Sequence, residues 1–288
     1  MKDLTSISYI SENMKKSGFF FKKNLGQNFL KESSVAKGIV ASLELNKEDT
    51  VLEIGPGFGA LTGFLCGEAG KVKALEIDPF AAGILKEALS EESNVEIIIA
   101  DALKCDYTLI LAEDIKQSRN LKAVSNLPYY ITSPAILKLL KFSPKFESIV
   151  VMIQREVSAR LYASPGTKDY SAFGALVSYF AKCEKLFDVS RNCFMPVPGV
   201  DSCVIKLTPL SEPPVKCLDE KTLFEVIKAA FSMRRKTLLN CVCSYFGFDK
   251  PTGEMLLEKS GITPSVRGEV LGLEEFARLA DEIFILKG

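Results

Sequence analysis

The chain has 288 residues, 47% of them hydrophobic, so it is long enough for one large domain and a smaller second one. It contains no histidine, which excludes Ser-His and Cys-His nucleophile systems and most zinc hydrolase sites, and we expect no metal site. Its eight cysteines show no Cys-x-x-Cys spacing, and no long apolar run or apolar signal core is present. We therefore expect a cytoplasmic protein with reduced thiols and no membrane segment.

The formal net charge is zero, but the charges are segregated along the chain. Residues 1–31 carry six lysines and two acids, and residues 221–250 carry six basic residues and two acids. Residues 44–114 carry fifteen acids and five lysines. This distribution predicts basic segments that bind a polyanion and an acidic centre that holds a different ligand. Either basic segment taken singly is equally consistent with a solvated surface.

The N-terminal segment up to Leu30 interleaves phenylalanines with Lys22 and Lys23. Aromatic rings can stack on bases while lysines neutralise phosphates, so we predict a basic RNA-binding arm. A flap that packs its phenylalanines on the core is the alternative. Ser33 or Ser34 is then expected to cap an amphipathic helix that covers a sheet.

Strand and helix patterns alternate after this helix. We predict strands at residues 50–54, 71–77, 95–100, 121–125 and 147–153, with Asp78 and Pro79 as N-cap and first residue of one intervening helix. Such alternation implies right-handed crossovers and a mostly parallel sheet, hence an α/β fold. Gly55, Asp101 and Asn126 each follow a predicted strand and Glu76 lies at the end of one, so they should meet at the carboxyl edge, where open α/β sheets bind ligands.

The glycine loop has two readings. Gly55, Gly57 and Ala60 satisfy the dinucleotide pattern G-x-G-x-x-G/A, and an acid lies about twenty residues further on. However, Pro56 has no N–H to offer a pyrophosphate, and Glu53 would place a carboxylate beside it. These features favour a cofactor with adenosine, a cationic centre and no phosphates.

S-adenosylmethionine is such a cofactor. Glu76 would accept hydrogen bonds from its ribose hydroxyls, and Asp101 would contact the adenine amino group. The glycine backbone would leave room for the amino-acid end. Taken alone, each acid is better explained as a solvent-facing strand end or a helix cap, and the cofactor role depends on the whole series.

The stretch Asn126-Leu127-Pro128-Tyr129 follows the strand at 121–125. The Asn126 side-chain oxygen and the backbone carbonyl just before the proline can accept hydrogen bonds from a planar amine, and Tyr129 offers a flat face to a base. We expect Ser133 to be the N-cap and Pro134 the first residue of the following helix. An ordinary turn is the alternative.

Two more strands are predicted at 185–189 and 202–207, and the segment between them contains Phe194, Pro196 and Pro198. Because the prolines stiffen this connection, Phe194 is a candidate for a second stacking surface. A phenylalanine in the core is the equally weighted alternative.

The composition changes after Leu210. Ser211–Pro214 has the composition of a linker, and the remaining chain is predicted to form short helices, including an amphipathic one at 273–285. We therefore predict two domains, residues 1–210 and 211–288. Arg234, Arg235 and Lys236 stand together and could hold phosphates, or could form a solvated basic turn.

These features together resemble the small-subunit ribosomal RNA adenine N6,N6-dimethyltransferases. The resemblance extends over nearly the whole chain and rests on Asn24–Leu30, Val51–Gly59, Asn126–Tyr129, Gln154–Glu156, Phe194–Ser202 and Phe231–Leu238. It implies a class I S-adenosylmethionine-dependent methyltransferase fold, Rossmann-like and mostly parallel, with a small C-terminal helical domain that docks RNA or the ribosome. It also implies dimethylation of two adjacent adenosines in small-subunit (16S-type) rRNA during ribosome biogenesis, by a monomer whose partner is the small ribosomal subunit.

The resemblance also implies roles for individual residues. The family's cofactor positions correspond to Asn28, Leu30, Gly55, Glu76, Asp101 and Asn126. Its catalytic and target-base positions correspond to Asn126, Pro128, Tyr129 and Phe194, with the Pro128 carbonyl as second acceptor for the amine. The family usually has lysine where this chain has Gly199, and residues 261–272 are less typical.

Three other functions remain open. A relative that methylates large-subunit RNA, the type that confers macrolide resistance, shares the glycine loop and the tetrapeptide. A non-catalytic ribosome-assembly or transcription factor could keep the same fold. A nicotinamide-dependent dehydrogenase ranks last, for the reasons given for Pro56 and Glu53.

Overall fold

The computed structural model describes residues 4–16, 28–117, 119–142, 144–233 and 235–288. The predicted RNA-binding residues Lys22, Lys23 and Arg234 lie outside these ranges. The chain divides into two compact units, one formed by the residues up to Ser158 with Glu184–Pro209, the other by Ala159–Cys183 and Leu210–Gly288.

The first unit is built on a seven-stranded sheet in the order β4-β3-β2-β5-β6-β9-β7. The pairs among β4, β3, β2, β5 and β6 are parallel, and β9 pairs antiparallel with β6. The predicted mostly parallel α/β sheet is therefore confirmed. The strands are β2 (Asp49–Ile54), β3 (Lys71–Glu76), β4 (Val95–Ile99), β5 (Asn120–Asn126), β6 (Ser148–Gln154), β7 (Ala181–Val189) and β9 (Ser202–Pro209).

A separate two-stranded ribbon joins distant parts of the sequence. β1 (Phe29–Leu30) pairs antiparallel with β8 (Phe194–Met195), with Leu30 opposite Phe194. The ribbon was not predicted, because each strand has two residues and shows no periodicity. It brings the segment before the first sheet strand against the segment before β9.

The helices follow the strands as the alternation predicted. In chain order they are α1 (Ile7–Lys16), α2 (Ser33–Ala41), α3 (Thr62–Glu68), α4 (Pro79–Ala88), α5 (Tyr107–Ile110), α6 (Ala112–Lys116), α7 (Thr132–Lys141) and α8 (Arg155–Leu161). Apolar residues of α2, α3 and α4 pack with β2, β3, β5 and β6 in one core. All six residues of β2 are buried, as is typical of a central parallel strand.

Two predicted helix caps are wrong and one is confirmed. Glu32, without a side-chain hydrogen bond, occupies the N-cap of α2, so Ser33 is already helical. A 3₁₀ turn at Tyr129–Ile131 leads directly into Thr132, so Ser133 falls inside the first turn of α7. Asp78 caps α4 by accepting from the backbone N–H of Phe80 at 3.1 Å, with proline following it.

Part of the acidic charge at 44–114 is neutralised within the fold, at the beginning of the strands. Asp49 Oδ2 lies 3.0 Å from Lys122 Nζ, and Asp114 Oδ2 lies 3.3 Å from Lys73 Nζ. All four side chains are almost fully buried. The ligand crevice therefore holds only some of the acids that the sequence concentrates in this segment.

The second unit is helical. It contains α9 (Ala172–Phe180), α10 (Glu220–Ala230), α11 (Leu238–Phe246), α12 (Lys250–Lys259) and α13 (Leu273–Lys287). The predicted C-terminal helix is α13, and its Phe276, Ala277, Ala280 and Ile283 are buried. Within the described ranges, no helix combines the length and apolar character needed to cross a membrane.

Residues 159–183 belong to this second unit, whereas the predicted boundary at 210 had assigned them to the first domain. The reason is the packing of α9 on α10. The Tyr179 ring lies edge-on to Phe224, with centroids 5.2 Å apart, and its hydroxyl is 2.7 Å from a Glu220 carboxylate oxygen.

Candidate methyl-transfer site

A cavity of about 340 Å³ opens at the carboxyl ends of β2, β3 and β5. It is lined by every predicted cofactor and catalytic residue, namely Asn28, Leu30, Gly55, Glu76, Asp101, Asn126, Pro128, Tyr129 and Phe194. Strand order explains the convergence, because neighbouring parallel strands end at one edge.

The glycine loop after β2 has a backbone that other residues would adopt only with strain. Gly55, Gly57 and Gly59 have φ values of 67°, 57° and 95°. The Phe58 ring stacks on Phe29 at a centroid distance of 4.2 Å, which attaches the loop to β1. The loop thus presents backbone to the cavity at a fixed position.

Glu76 at the end of β3 is held by two backbone donors. Its Oε2 accepts from the N–H of Gly57 at 3.0 Å, and its Oε1 accepts from the N–H of Asp78 at 2.9 Å. Burial raises the pKa of Glu76, and these amide donors oppose the rise. A carboxylate has about four acceptor positions, so ligand hydroxyls can still bind.

Glu53, which the sequence places beside the glycine loop without giving it a role toward the cofactor, belongs to the site. It lies within β2, is 1% exposed and lines the cavity. Burial raises its pKa from 4.5 to about 8, with a smaller increase from Glu76 and an opposing effect of the Thr62 hydroxyl. Its Oε2 has no hydrogen-bond partner among the described residues. Burial therefore keeps this carboxyl group protonated near neutral pH, and a cationic ligand beside it would favour its charged form.

Asp101 follows β4 at the other side of the crevice. Its Oδ1 accepts from the N–H of Leu103 at 2.9 Å, and its Oδ2 lies 3.5 Å from Lys104 Nζ. Ile77 and Ala102 also line this part of the cavity. The combination of apolar side chains with a fixed carboxylate is suited to a flat ring that carries an amino group.

The Asn126 amide is oriented by a backbone carbonyl. Its Nδ2 donates to the carbonyl oxygen of Asn28 at 3.2 Å. Because a carbonyl can only accept, this contact fixes which end of the amide is oxygen. Among the described residues no donor is paired with Oδ1, which is therefore available to an incoming N–H.

The Pro128 carbonyl already accepts hydrogen bonds from groups of the protein itself. It accepts from the N–H of Ile131 at 3.1 Å and lies 3.4 Å from the Thr132 hydroxyl, so an acceptor role toward a substrate would compete with the 3₁₀ turn. Leu127 also lines the cavity, and no described group donates to its carbonyl. The carbonyl just before the proline is thus the better available acceptor.

Tyr129 and Phe194 differ in exposure. Tyr129 is half-buried and its hydroxyl lies 3.3 Å from the Ser202 hydroxyl; burial raises its pKa. Phe194 is only 1% exposed and belongs to the core that packs on the sheet. Its ring therefore forms part of the cavity wall, and Tyr129 is the more accessible face for a base.

In the second unit, Arg235 and Lys236 are exposed in the turn between α10 and α11. The N–H of Lys236 donates to the carbonyl of Met233 at 3.0 Å, which closes the turn. Their charged groups are accessible to a polyanion.

The family model of the ribosomal RNA adenine dimethylases matches residues 18–283, almost the whole chain. The chain belongs to this family. The dehydrogenase reading of the glycine loop is thereby excluded, and the predicted dimethyltransferase resemblance is confirmed.

Relatives of this dimethylase extend over its full length. "Ribosomal RNA small subunit methyltransferase A" of Clostridium botulinum (strain Loch Maree) is 45% identical over 273 residues, covering 95% of this chain and 98% of the relative. The protein of that name from Bacillus mycoides is 42% identical over 290 residues, covering 100% of this chain and 99% of the relative.

Solved structures show the same fold. A dimethyladenosine transferase from Plasmodium falciparum has a TM-score of 0.72 and 27% identity, covering 87% of this chain and 95% of that one. The 23S rRNA methyltransferase ErmE has a TM-score of 0.63 and 26% identity, covering 89% of this chain and 100% of that one. The methyltransferase fold with a C-terminal helical part is therefore confirmed.

Proposed function

We propose that this dimethylase transfers methyl groups from S-adenosylmethionine to N6 of two adjacent adenosines in small-subunit rRNA. It acts in the cytoplasm during ribosome biogenesis, and its partner is the small ribosomal subunit or its precursor. The observation that carries the proposal is the Asn126 amide, anchored through its nitrogen with its oxygen available, in a cavity that also holds two buried carboxylates.

The cavity fits the cofactor in charge and shape. S-adenosylmethionine, when bound, supplies an electrophilic methyl group on a cationic sulfur. The orphaned Oε2 of buried Glu53 offers a partner for positive charge, and Glu76 can accept from ribose hydroxyls. Gly55 and Gly57 have no side chains to fill the cavity, and Asp101 with its apolar neighbours is suited to adenine. Asn28 and Leu30 complete the lining.

The protein's part in the reaction follows from the properties of an adenine amine. The amine lone pair is delocalised into the ring, which makes the nitrogen a poor nucleophile. Hydrogen bonds from its two N–H groups to Asn126 Oδ1 and the Leu127 carbonyl would favour a tetrahedral nitrogen, whose lone pair leaves the ring π system and points toward the methyl group. Once the methyl–nitrogen bond has replaced the methyl–sulfur bond, the nitrogen releases one N–H proton. Positioning and electrostatics then dominate, and no histidine base is required.

The target base must leave any helix to reach this cavity, as is general for enzymes that modify bases. Tyr129 provides an accessible aromatic face, and its hydroxyl contact with Ser202 fixes the ring. After the first transfer only one N–H remains, so the second transfer depends more strongly on this stacking.

The small subunit is favoured over the large one by the relatives. Proteins named for the small subunit are 42–45% identical over the full length, whereas ErmE, named for 23S rRNA, is 26% identical. Exposed Arg235 and Lys236 supply positive charge for RNA docking in the second unit.

The test is transfer of labelled methyl groups from S-adenosylmethionine to undermethylated small subunits, with large-subunit RNA as a parallel substrate, followed by digestion to nucleosides. We expect labelled dimethyladenosine from the small subunit alone. Label only on large-subunit RNA would assign the protein to the resistance type. Cofactor binding without label on either RNA would indicate an assembly factor.

A further inference from the structure

Arg191 is held by contacts across the loop that leads to β9, three residues before Phe194 of the cavity wall. It begins a short 3₁₀ turn, Arg191–Cys193, directly before Phe194. Its backbone N–H donates to Asp201 Oδ1 at 3.1 Å, and its Nη1 donates to the carbonyl of Gly199 at 3.4 Å. The side chain is nevertheless exposed. The guanidinium is thus held in place and remains accessible.

The guanidinium of Arg191 has no carboxylate partner within the described part of the chain, whereas Arg155 and Lys185 are both paired. Arg155 Nη1 lies 3.7 Å from Asp201 Oδ2, and Lys185 lies 2.7 Å from Asp188. Among the described residues no carboxylate lies within ion-pair distance of the Arg191 guanidinium. The side-chain hydrogen bond that it makes with a described residue goes to a neutral carbonyl, which leaves most of its five N–H donors for a ligand.

The same loop is connected to the base-binding side of the cavity. Ser202, next to Asp201, contacts the Tyr129 hydroxyl at 3.3 Å, and the Asp201 charge contributes to the raised pKa of Tyr129. Phe194, three residues after Arg191, lines the cavity. Arg191 therefore lies on the side where a target base would stack.

The space beside Arg191 is open. A Cβ atom added at Gly199 would meet nothing within 4 Å, and the neighbouring Val197 and Val200 are 54% and 45% exposed. A group the size of a phosphate can therefore approach the guanidinium. The planar fork of arginine matches the oxygen geometry of a phosphate.

We infer that Arg191 binds a backbone phosphate of the RNA strand next to the target adenosine. The inference rests on the proposed function and adds a substrate-positioning residue to it. The contact holds the strand at the rim while the base enters the cavity, so Arg191 contributes to RNA affinity and not to cofactor binding.

The first test is Arg191→Gln, assayed for methyl transfer to undermethylated small subunits. We expect KM for the subunit to rise about 3- to 10-fold, with kcat and S-adenosylmethionine affinity within about twofold of wild type. The slope of log Kd against log salt should fall by about 0.7 to 0.9, the value for one lost phosphate contact. Lys86→Gln, which removes an exposed charge at the end of α4, is the matched control and should change neither quantity.

The second test restores a positive charge at Gly199, the residue whose carbonyl accepts the hydrogen bond from Arg191. Because Gly199 has room for a side chain and a φ outside the left-handed region, Gly199→Lys should be tolerated. In the Arg191→Gln background it should recover most of the lost affinity and salt slope, which a purely structural role of Arg191 would not allow.

Two results would overturn the inference while leaving the proposed function intact. One is an Arg191→Gln variant that behaves like Lys86→Gln on a substrate that the wild type methylates. The other is a loss in Arg191→Gln that Gly199→Lys does not recover although circular dichroism shows a folded double variant. Failure of the wild type to methylate the small subunit would instead overturn the proposed function.

Discussion

The side-chain nitrogen of Asn126 donates to the backbone carbonyl of Asn28, 98 residues earlier in the chain, at 3.2 Å. This contact joins the end of β5 to the residue before β1. Because Nδ2 makes the contact, Oδ1 of Asn126 faces away from the Asn28 carbonyl. The candidate catalytic acceptor is thus oriented by the segment that also lines the cofactor cavity.

Replacing Asn126 by alanine should lower kcat for methyl transfer by about 10²- to 10⁴-fold, because the side-chain acceptor for the target amine is lost. Thermal unfolding should change little, since the lost contact is one hydrogen bond. Single-turnover assays with excess enzyme measure the effect. Asn120→Ala, at the exposed other end of β5, is the control and should retain wild-type turnover. Near-normal transfer by Asn126→Ala would remove this residue from the mechanism.

Glu53→Gln should change the pH dependence of stability. The raised pKa of about 8 means that folded Glu53 holds a proton between pH 4.5 and 8, where the unfolded chain has lost it. Unfolding therefore releases a proton, and the stability of the wild type falls as pH rises through this window and levels off above about pH 8. The stability of the variant should not show this decline. The difference in stability between the variant and the wild type should therefore be largest near pH 8.

Denaturant unfolding of the ligand-free protein at several pH values measures this difference. Glu68→Gln, at the exposed end of α3, is the matched control and should follow the wild-type curve. A Glu53→Gln variant whose stability declines in parallel with wild type between pH 5 and 8 would contradict a protonated Glu53 in the cavity.

Two glycine substitutions should have opposite effects on stability. Gly59→Ala places a Cβ against buried Leu85 and Leu4 at a φ of 95°, so it should destabilise the protein by about 1–3 kcal/mol. Gly83→Ala, exposed within α4 with nothing near the added Cβ, should stabilise it by about 0.5–1 kcal/mol. Urea unfolding midpoints compare the two. Equal effects would mean that the loop adapts to a side chain.

Arg235→Gln combined with Lys236→Gln should weaken RNA binding and lower its salt dependence. Two lost phosphate contacts reduce the slope of log Kd against log salt by about 1.4 to 1.8. Filter binding with small-subunit RNA across a salt series measures the slope. The control replaces Lys250 and Lys259, both exposed on α12, by glutamine. A double variant with the wild-type slope would identify the 235–236 turn as a solvated surface.

The sheet and its ligand edge could be predicted because alternation of strand and helix fixes where strands end. Glu76, Asp101 and Asn126 lie at the edge for that reason. The sequence places Glu53 beside the glycine loop, but it carries no signal that this side chain is buried with an unpartnered oxygen. That state is evident only from the structure.

Contacts between segments that are distant in the sequence also could not be predicted. The use of the Pro128 carbonyl depends on a 3₁₀ turn at Tyr129–Ile131 that replaced the expected serine cap. The burial of Phe194 depends on a two-residue strand, too short for periodicity. The inclusion of residues 159–183 in the second unit depends on packing of α9 against α10.

The ribbon of β1 and β8 has a thermodynamic consequence. Leu30, a predicted cofactor residue, is paired with Phe194, a predicted target-base residue, and both line the cavity. A ligand that orders one strand lowers the entropy cost of ordering the other, so cofactor and RNA should each bind more tightly when the other is present. Linkage requires the two enhancements to be equal. The enzyme would then hold its substrate firmly only while loaded with a methyl donor, and release it after the donor has been spent and has left.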